Sequence, residues 1–284
     1  MSQIPVFYVI GHPLGHSMSP FIHRQLFSLQ KHNAEYRIKD IEPQNLESQL
    51  NALLKKTSGI NVTIPYKQAV IEYLDGLRGR AEQYRSVNTI KICQDGYFGY
   101  NTDADGFLLA LSGGGIQLQG RIVLLGCGGV GRTFACEAAL AGCSIVNAVR
   151  DCSLEHAEKL RSYVLDIAPG TDYSITTPDG LEGEYELLIN ATPVGMYPNC
   201  DEMPVSASSL TRIAAVFDAV YNPVETTLLR CAKSNGVRVL GGMSMLVWQA
   251  AAAHTIWYGA HFDDGDIAQL IEETAWKMQR HFAQ

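Results

Sequence analysis

The 284-residue sequence lacks the features that would assign it to a membrane, disulfide-rich or zinc-binding class. No segment is both long and apolar enough to span a bilayer, and no basic region precedes the short apolar run near the N-terminus. The seven cysteines are scattered and form no CxxC pair, so neither a disulfide framework nor a zinc site is expected. We therefore predict a cytoplasmic protein with reduced thiols, no bound metal and no membrane partner.

Positive charge is also scarce. The chain has 22 Lys and Arg against 29 Asp and Glu, a formal net charge of −7, and no stretch is dense enough in Lys and Arg to reverse that balance locally. Such a surface repels the phosphates of nucleic acids, so a small molecule is the expected partner. With 46% hydrophobic and 18% charged residues, the composition is that of a globular enzyme, and the length allows two domains. A monomer and a homodimer both stay open.

Four of the 26 glycines, in contrast, lie together in one informative turn. Residues 122–125 form an apolar run that predicts a buried strand, and the sequence GCGGVG at 126–131 follows it directly. An amphipathic helix over 133–141 is expected next. A strand, a glycine-rich turn and a helix in this order are typical of the first βα unit of a dinucleotide-binding fold.

The glycines of this turn have physical roles in that interpretation. Gly126 permits the tight turn, Gly128 lets the backbone approach a pyrophosphate, and Gly131 allows the helix to pack close to the strand. Gly129 belongs to the same turn, and the unpaired N–H groups at the start of the helix then face the phosphates. Because glycines also occur in ordinary turns, the identification depends on the segments that follow.

Those segments continue the alternation of strands and helices. An apolar run at 144–149 predicts a second strand, and Asp151 follows it about twenty residues after Gly131, where a carboxylate can bind a ribose diol. Further strands and helices alternate through the rest of this region, which predicts a parallel, doubly wound sheet. Ligands bind beyond the carboxyl ends of such strands, where Thr192 and Tyr221 fall.

Polar residues also follow a predicted strand near the N-terminus. Ser17 and Ser19 lie between a strand at 6–10 and a helix that begins near Pro20. Ser19 is a suitable N-cap for that helix, and two hydroxyls beside helical N–H groups are equally suited to bind a carboxylate. The residues alone leave both interpretations open.

The sequence GINVTIPYK at 59–67 places three polar side chains around the end of a short strand. Asn61 and Thr63 either close a turn or face a ligand, and Lys67 is either a solvated surface residue or a third group directed at the ligand. Asn88 lies within the next predicted strand. The loop is therefore a candidate site.

Two further polar residues have a similar double interpretation. Asp103 either caps a helix that extends to Leu111 or belongs to a site. Gln249 lies in an apolar helix, where a buried amide requires hydrogen-bond partners, and a substrate is one candidate.

The end of the chain is predicted to form two helices, one from Met243 to about Tyr258 and one from Asp266 to about Phe282. Because the predicted parallel sheet ends before them, we expect these helices to fold back onto the N-terminal domain. The predicted domains are a discontinuous substrate-binding domain, 1–105 plus 244–284, and a dinucleotide-binding domain, 106–243.

Taken together, these residues resemble the shikimate dehydrogenase family, including its relatives that use quinate. The matching segments follow the family's order from one end of the chain to the other: GHPLGHSMSP, GINVTIPYK, SVNTI, GYNTDADG, GCGGVG, NATPVGM, DAVYNP and GGMSMLVWQ. The resemblance implies an α/β fold with an N-terminal α/β substrate domain, a Rossmann-type doubly wound dinucleotide-binding domain, and C-terminal helices that return to the first domain. It also implies reversible, NAD(P)-dependent reduction of 3-dehydroshikimate to shikimate.

The resemblance also assigns roles to residues. Lys67 and Asp103 match the catalytic pair of the family, and Ser17 and Ser19 match the serines that hold the substrate carboxylate. Tyr221 matches a tyrosine that helps to hold the carboxylate end. The residues that match positions around the ring hydroxyls are Asn61, Thr63, Asn88 and Gln249.

The cofactor is the point at which the sequence departs from the family. NADP-using members typically carry Asn-Arg-Thr after the second strand of the dinucleotide-binding domain, whereas this chain has Val149-Arg150-Asp151. Arg150 is suited to stack on adenine or to meet a phosphate, but Asp151 repels a 2′-phosphate and suits the free ribose diol of NAD. The residues therefore favour NAD, and the family favours NADP. The resemblance also implies that Gly241 lies in the segment near the nicotinamide.

Rival functions remain on the same scaffold. One is a shikimate/quinate dehydrogenase that prefers NAD, and another is a catalytically silent dinucleotide-binding sensor. The presence of Lys67, Asp103 and Gln249 argues against the sensor. A dehydrogenase for a different small acid is disfavoured by the serine pair together with GINVTIPYK.

Overall fold

In the computed structural model, which describes residues 4–14 and 17–282, six strands form the sheet of the N-terminal half. They are β1 (Val6–Gly11), β2 (Glu35–Asp40), β3 (Gly59–Val62), β4 (Gly76–Leu77), β5 (Thr89–Cys93) and β6 (Gly96–Tyr100), in the spatial order β2-β1-β3-β5-β6-β4. β1 pairs in parallel with β2 and β3, whereas β5 pairs antiparallel with β3 and β6. As a result, Thr89 at the start of β5 lies opposite Asn61 near the end of β3.

The second half contains a second six-stranded sheet. Its strands are β7 (Arg121–Leu125), β8 (Ser144–Ala148), β9 (Tyr173–Thr176), β10 (Leu187–Asn190), β11 (Ala215–Asp218) and β12 (Arg238–Gly241), in the order β12-β11-β10-β7-β8-β9. Every neighbouring pair is parallel. The direction of winding reverses at β7, which makes the carboxyl end of β7 the switch point at which such sheets bind ligands. The predicted parallel, doubly wound sheet is confirmed.

The α-helices of the described residues are α1 (Ser19–Leu29), α2 (Leu46–Leu54), α3 (Arg80–Tyr84), α4 (Asp103–Gly113), α5 (Gly129–Leu140), α6 (Leu154–Ile167), α7 (Thr227–Ser234), α8 (Gly242–Tyr258) and α9 (Asp264–Phe282). In the second unit, α5, α6 and α7 connect β7 to β8, β8 to β9 and β11 to β12, whereas only short 3₁₀-helices lie between β9 and β10 and between β10 and β11. Across residues 4–14 and 17–282, no helix combines the length and the apolar character that a membrane crossing needs.

The chain divides into two compact units. The first unit comprises Met1–Gly106 and Val247–Thr274, and the second comprises Phe107–Leu246 and Ala275–Gln284. In the first unit, part of α8 packs against β1, because Trp257 lies against Phe7 with ring centroids 4.6 Å apart. The indole Nε1 of Trp257 also donates to the Ile90 carbonyl at 3.0 Å. A segment from late in the sequence thus completes the core of the first unit.

The core of the second unit fixes α5 behind the glycine-rich turn. Phe134 of α5 lies against Phe107 of α4 and Phe217 of β11, with ring centroids 4.2 and 5.7 Å apart. All three rings are buried. Aromatic contacts of this kind add to the burial of apolar surface, so the start of α5 is held firmly against the sheet.

Candidate functional site

The first candidate site lies beyond the end of β3, in the first unit. Lys67 Nζ donates to Asp103 Oδ2 at 2.5 Å, and the two side chains are 19% and 11% exposed. An ion pair at this depth is weakly screened by solvent, while its atoms stay accessible to a small molecule. The Val87 N–H donates to the Lys67 carbonyl at 2.7 Å, which ties the lysine to the segment before β5.

Asp103 is the first residue of α4, and its carboxylate is not used to cap that helix. The side chain of Asn101 accepts the Asp103 N–H at 3.0 Å, so the asparagine supports the helix start. The Asp103 carboxylate accepts instead from Lys67 and, at 2.9 Å, from Asn88 Nδ2. Both carboxylate oxygens therefore belong to the polar cluster around Lys67.

Asn88 lies one residue before β5, rather than inside the strand as predicted, and its amide has a fixed orientation. Its Oδ1 accepts the Thr102 N–H at 2.7 Å, and its Nδ2 donates to Asp103 Oδ1 and, at 3.0 Å, to Thr102 Oγ1. Because a backbone N–H can only donate, the atom that faces it has to be the amide oxygen. Asn88 therefore orients the carboxylate of Asp103.

Asn61 supports this cluster from inside the protein. Its Nδ2 donates to the Asn88 carbonyl at 3.2 Å and to Thr89 Oγ1 at 3.0 Å, and its Oδ1 accepts from Tyr36 Oη at 2.7 Å. The residue is only 6% exposed, and both amide hydrogens bind protein groups. Thr63, just after β3, is half-buried.

The two serines lie at the start of α1. Ser19 is the first helical residue, and the N-cap is Met18, which makes no side-chain cap bond. The N-cap interpretation of Ser19 is therefore wrong, because the helix begins one residue earlier than that interpretation requires. Ser17 Oγ accepts the Ser19 N–H at 3.2 Å, and both residues are half-buried.

The remaining two residues assigned to the substrate lie in different units. Gln249 is on α8 in the first unit and is half-buried, so the expectation of a fully buried amide is not met. Tyr221 follows β11 in the second unit and is 37% exposed.

The second candidate site is the glycine-rich turn between β7 and α5. Gly126 has φ +93°, and a Cβ there would lie 2.9 Å from Thr192 Cγ2, so the turn requires glycine on both counts. A Cβ at Gly131 would lie 3.2 Å from the Gly126 carbonyl oxygen. In contrast, nothing lies within 4 Å of a Cβ built at Gly128 or Gly129. The N-terminus of α5 therefore opens onto space, as binding of a pyrophosphate requires.

The loop after β8 carries the two charged residues assigned to the cofactor. Arg150 and Asp151 are both exposed, and Asp151 begins a short 3₁₀-helix, Asp151–Ser153. Buried Asn147 of β8 donates to the carbonyls of Leu124 and Gly126 at 2.9 and 3.0 Å, which ties β8 to the start of the glycine-rich turn.

A buried polar network joins the loops after β10 and β11. Asp218 accepts from Asn190 Nδ2 at 2.9 Å and from Thr226 Oγ1 at 2.6 Å, and Thr192 Oγ1 donates to Asn190 Oδ1 at 2.7 Å. Burial raises the pKa of Asp218, and these hydrogen bonds oppose that rise. The network fixes the position of Thr192.

Gly241 ends β12 and is half-buried. The next residue, Gly242, has less room for a side chain, because a Cβ there would lie 2.3 Å from the Ala219 carbonyl oxygen. Within residues 4–14 and 17–282, no group of three or more His, Cys, Asp or Glu is placed to hold a metal ion.

Sequence reasoning missed the residues that hold the assigned ones in place. In the first unit they are Tyr36, Thr89, Asn101 and Thr102, and in the second they are Asn147, Asn190 and Asp218. One signal was available for the last two, because each ends a short strand whose other residues are apolar. A polar residue at the end of a buried strand indicates a side chain with a hydrogen-bond partner.

Comparison with protein families places these motifs among known sequences. Residues 9–90 match the family described as the shikimate dehydrogenase substrate binding domain. The chain is 38% identical over 275 residues to the shikimate dehydrogenase (NADP(+)) of Caldanaerobacter subterraneus subsp. tengcongensis, covering 95% of this chain and 97% of that protein. It is 36% identical over 261 residues to the protein of the same name from Archaeoglobus fulgidus, with 90% and 94% covered.

Solved structures give the same result for the fold. A shikimate dehydrogenase crystallised with NADP+ superposes with a TM-score of 0.88 at 35% identity, covering 96% of each chain. The shikimate 5-dehydrogenase of Thermus thermophilus, in complex with NADP(H) and shikimate, superposes with a TM-score of 0.85 at 32% identity, covering 95% of this chain and 100% of that one. The expected α/β architecture is confirmed over nearly the whole chain.

Proposed function

We propose that this chain, which belongs to the shikimate dehydrogenase family, catalyses the reversible NADP-dependent reduction of 3-dehydroshikimate to shikimate. The observation that carries the proposal is the ion pair of Lys67 and Asp103, oriented by Asn88 beyond the end of β3. Such a pair offers a proton-transfer group and a hydrogen-bond acceptor side by side. These are the groups that the interconversion of an alcohol and a ketone requires.

Oxidation of a secondary alcohol removes a hydride from carbon and a proton from the hydroxyl group. NADP, when bound, accepts the hydride. In the direction of reduction, the protonated Lys67 of this ion pair gives its proton to the ketone oxygen while the hydride goes to the carbon. In the direction of oxidation, Lys67 in its neutral form takes the hydroxyl proton. Asp103 binds both the lysine and the substrate hydroxyl, and Asn88 holds the second carboxylate oxygen, which fixes the geometry of the transfer.

The other assigned residues then bind and orient the substrate, mostly in the first unit. Ser17 and Ser19 offer hydroxyls at the start of α1 for the carboxylate. The role of Tyr221 at the carboxylate end stays what the resemblance implies. The residues proposed to contact or support the ring hydroxyls are Asn61, Thr63, Asn88 and Gln249.

The second unit is proposed to hold NADP. The turn from Gly126 to Gly131 leaves room for a pyrophosphate at the N-terminus of α5. Arg150 is proposed to bind the 2′-phosphate, and Thr192 and Gly241 lie on the nicotinamide side. Guanidinium groups suit phosphate because they donate in a planar fork.

The preference for NAD that was inferred from Asp151 is not favoured, because the relatives reported above are named for NADP(+). A physical reason is available in the loop. Asp151 is exposed and begins the short 3₁₀-helix, so its carboxylate has room to face solvent and leave the 2′-phosphate to Arg150. With its carboxylate turned to solvent, Asp151 would no longer exclude the 2′-phosphate of NADP.

The test is an assay of nicotinamide reduction by the purified protein, with shikimate and quinate each offered with NADP and NAD. We expect the highest kcat/KM with shikimate and NADP. A higher kcat/KM with NAD would contradict the assignment of the cofactor, and a higher value with quinate would contradict that of the substrate. Absence of turnover in all four combinations, from a protein that still binds NADP, would contradict the proposed enzyme activity and favour the catalytically silent dinucleotide-binding sensor.

Two further statements stay predictions from the sequence. The protein is expected in the cytoplasm, which cell fractionation tests. It is expected to be a monomer or a homodimer, which light scattering after gel filtration distinguishes.

A further inference from the structure

A chain of hydrogen bonds, part-buried at its outer end and buried beyond it, extends from the edge of the first sheet to the proposed catalytic pair. It connects Tyr36, Asn61, Thr89, Asn88 and Asp103, and we call these five residues the polar chain. Asn61, Thr89, Asn88 and Asp103 are all buried. The outermost member, Tyr36 on β2, lies 25 residues before Asn61 in the sequence.

The direction of every hydrogen bond in the polar chain is determined by groups that can act in only one way. The Asn88 carbonyl only accepts, so the Asn61 atom facing it at 3.2 Å is Nδ2, and its Oδ1 has to face Tyr36. Tyr36 therefore donates to Asn61 at 2.7 Å. Thr89 Oγ1 accepts from Asn61 and lies 3.2 Å from Asn88 Oδ1 and 3.4 Å from Thr102 Oγ1. Because an amide oxygen only accepts, Thr89 is the donor in the bond to Asn88. Asn88 then donates to Asp103.

All donors in the polar chain thus point towards the Asp103 carboxylate. Hydrogen bonds aligned in one direction polarise one another, so each link strengthens the next. Asn61 cannot turn its amide to compensate for loss of the Tyr36 hydroxyl, because both hydrogens of its Nδ2 are bound to the Asn88 carbonyl and to Thr89 Oγ1. Loss of that donor leaves Asn61 Oδ1 in a buried position without its partner.

Tyr36 is held in place by a stack of buried rings. Its ring lies parallel to that of His23, with centroids 4.0 Å apart and planes 5° apart. His23 Nδ1 lies 3.0 Å from His254 Nε2, and His254 Nδ1 lies 2.8 Å from Gln30 Oε1. Because Gln30 Oε1 only accepts, His254 donates to it and accepts from His23. Burial also raises the pKa of Tyr36 well above its usual value, so the phenol keeps its proton and remains a donor.

We propose that Tyr36 is a positioning residue for the reaction: by donating to Asn61, it fixes the polar chain that orients the Asp103 carboxylate towards Lys67. This inference rests on the function proposed above. It separates the hydroxyl of Tyr36, which acts on the polar chain, from its ring, which only fills space against His23.

The substitution Tyr36→Phe removes the hydroxyl and keeps the ring, and the chain offers a matched control in Tyr66. Tyr66 is buried, whereas Tyr36 is half-buried, and the Tyr66 hydroxyl donates to the Ile41 carbonyl, which is not part of the polar chain. We expect Tyr36→Phe and Tyr66→Phe to lower the Tm by similar amounts. We expect only Tyr36→Phe to lower kcat for shikimate oxidation, by about tenfold, with the KM for NADP unchanged.

A double-mutant cycle tests whether the effect travels through the polar chain. Thr89→Val removes the central hydroxyl and keeps the branched shape of the side chain. If both residues act through the same hydrogen bonds, kcat of the double variant Tyr36→Phe/Thr89→Val equals that of the less active single variant. The effects of Tyr66→Phe and Thr89→Val on kcat, in contrast, multiply in their double variant. Equal kcat in Tyr36→Phe and Tyr66→Phe, or independent effects in the first cycle, would overturn the proposal.

A readout without turnover separates this inference from the proposed function. In protein labelled with 15N-asparagine, we expect the side-chain amide hydrogens of Asn61 and Asn88 to exchange with solvent faster in Tyr36→Phe than in Tyr66→Phe. If the unmodified protein does not oxidise shikimate, the proposed function fails, and the exchange rates still decide whether Tyr36 orders the polar chain. Equal exchange in the two variants would contradict that ordering.

Discussion

The residues proposed to bind shikimate and those proposed to bind NADP differ in how far the protein has already built each site. Around Lys67 and Asp103, the polar side chains are buried and bonded to one another. Around Gly128 and Gly129, the structure offers backbone and open space, and the neighbouring charged residues Arg150 and Asp151 are exposed. The region around Lys67 and Asp103 is preorganised by side chains, and the region around Gly128 and Gly129 is open because glycine has no side chain.

The difference follows from what each ligand needs. A transfer of a proton between two atoms depends on distance and direction, so the groups involved have to be fixed before the substrate arrives. A pyrophosphate is bound by backbone N–H groups at a helix N-terminus, which glycines leave accessible. We therefore expect the first site to lose catalytic activity when a side-chain group is removed. We expect the second site to lose affinity for NADP when a side-chain carbon is added.

The largest effect is expected from removing the proton-transfer group. Lys67→Ala should lower kcat for shikimate oxidation by about 10³-fold or more, because the variant lacks the group proposed to exchange the hydroxyl proton. NADP affinity, measured by fluorescence titration, should stay unchanged, since the residues proposed to bind NADP lie in the other unit.

Lys91→Ala is the matched control, because Lys91 lies on β5 of the same unit and is also only partly exposed. A kcat for Lys67→Ala close to that of Lys91→Ala would remove Lys67 from the mechanism.

Adding one carbon to the second site tests the other half of the comparison. Gly128 has φ −77°, which alanine adopts readily, and its Cβ would meet no atom within 4 Å, so Gly128→Ala should leave the Tm unchanged. The same carbon would occupy the space proposed for the pyrophosphate and should raise the KM for NADP about tenfold or more.

Two further alanine substitutions serve as controls for Gly128→Ala. Gly113→Ala also adds a carbon in open space, away from the turn, and should change neither quantity. Gly131→Ala should lower the Tm, because its Cβ presses on the Gly126 carbonyl. An unchanged KM for NADP in Gly128→Ala would show that the turn does not hold the pyrophosphate.

The buried histidines add a dependence on pH to the first unit. Burial holds the pKa of His254 at about 3 and that of His23 well below its ordinary value, so both are neutral in the folded protein. The unfolded chain binds a proton at each below a pH of about 6.5, and stability is therefore lost as the pH falls below that value.

For His254 alone, the loss between pH 6.5 and pH 5 amounts to about 2 kcal/mol. Urea unfolding at several pH values measures it, with His254→Gln expected to flatten the dependence and the exposed His156→Gln expected to leave it unchanged. Identical pH profiles in His254→Gln and the unmodified protein would contradict the assignment.

The smallest effect is expected at the exposed edge of the second site. Asp151→Ala should raise the ratio of NADP to NAD efficiency by about twofold to fivefold, because the lost carboxylate repels a 2′-phosphate only across solvent. Asp166→Ala, an exposed carboxylate on α6, serves as the control. A ratio equal to that of the control would mean that the Asp151 carboxylate does not act on the 2′-phosphate even across solvent.

Some of these features were predictable because they depend on neighbouring residues. The run Ile122–Leu125 followed by GCGGVG specifies a buried strand and a glycine-dependent turn, whatever the rest of the chain does. In contrast, β4 spans only Gly76–Leu77 and is too short to carry a periodic pattern. Asn88 was placed inside a strand because the apolar pattern continues past its true boundary at Thr89.

The sequence by itself determined the glycine-rich turn, the alternation that produces the parallel sheet, and the polar residues that end β3 and begin α4. Only the tertiary structure decided that Tyr36 donates to Asn61, that Asn190 binds Asp218, and that the Asp103 carboxylate is free of capping. The physical reason is that periodicity and turn chemistry act over a few residues. The partner of a buried polar side chain depends on which strands are neighbours, and the pairing of distant segments sets that order.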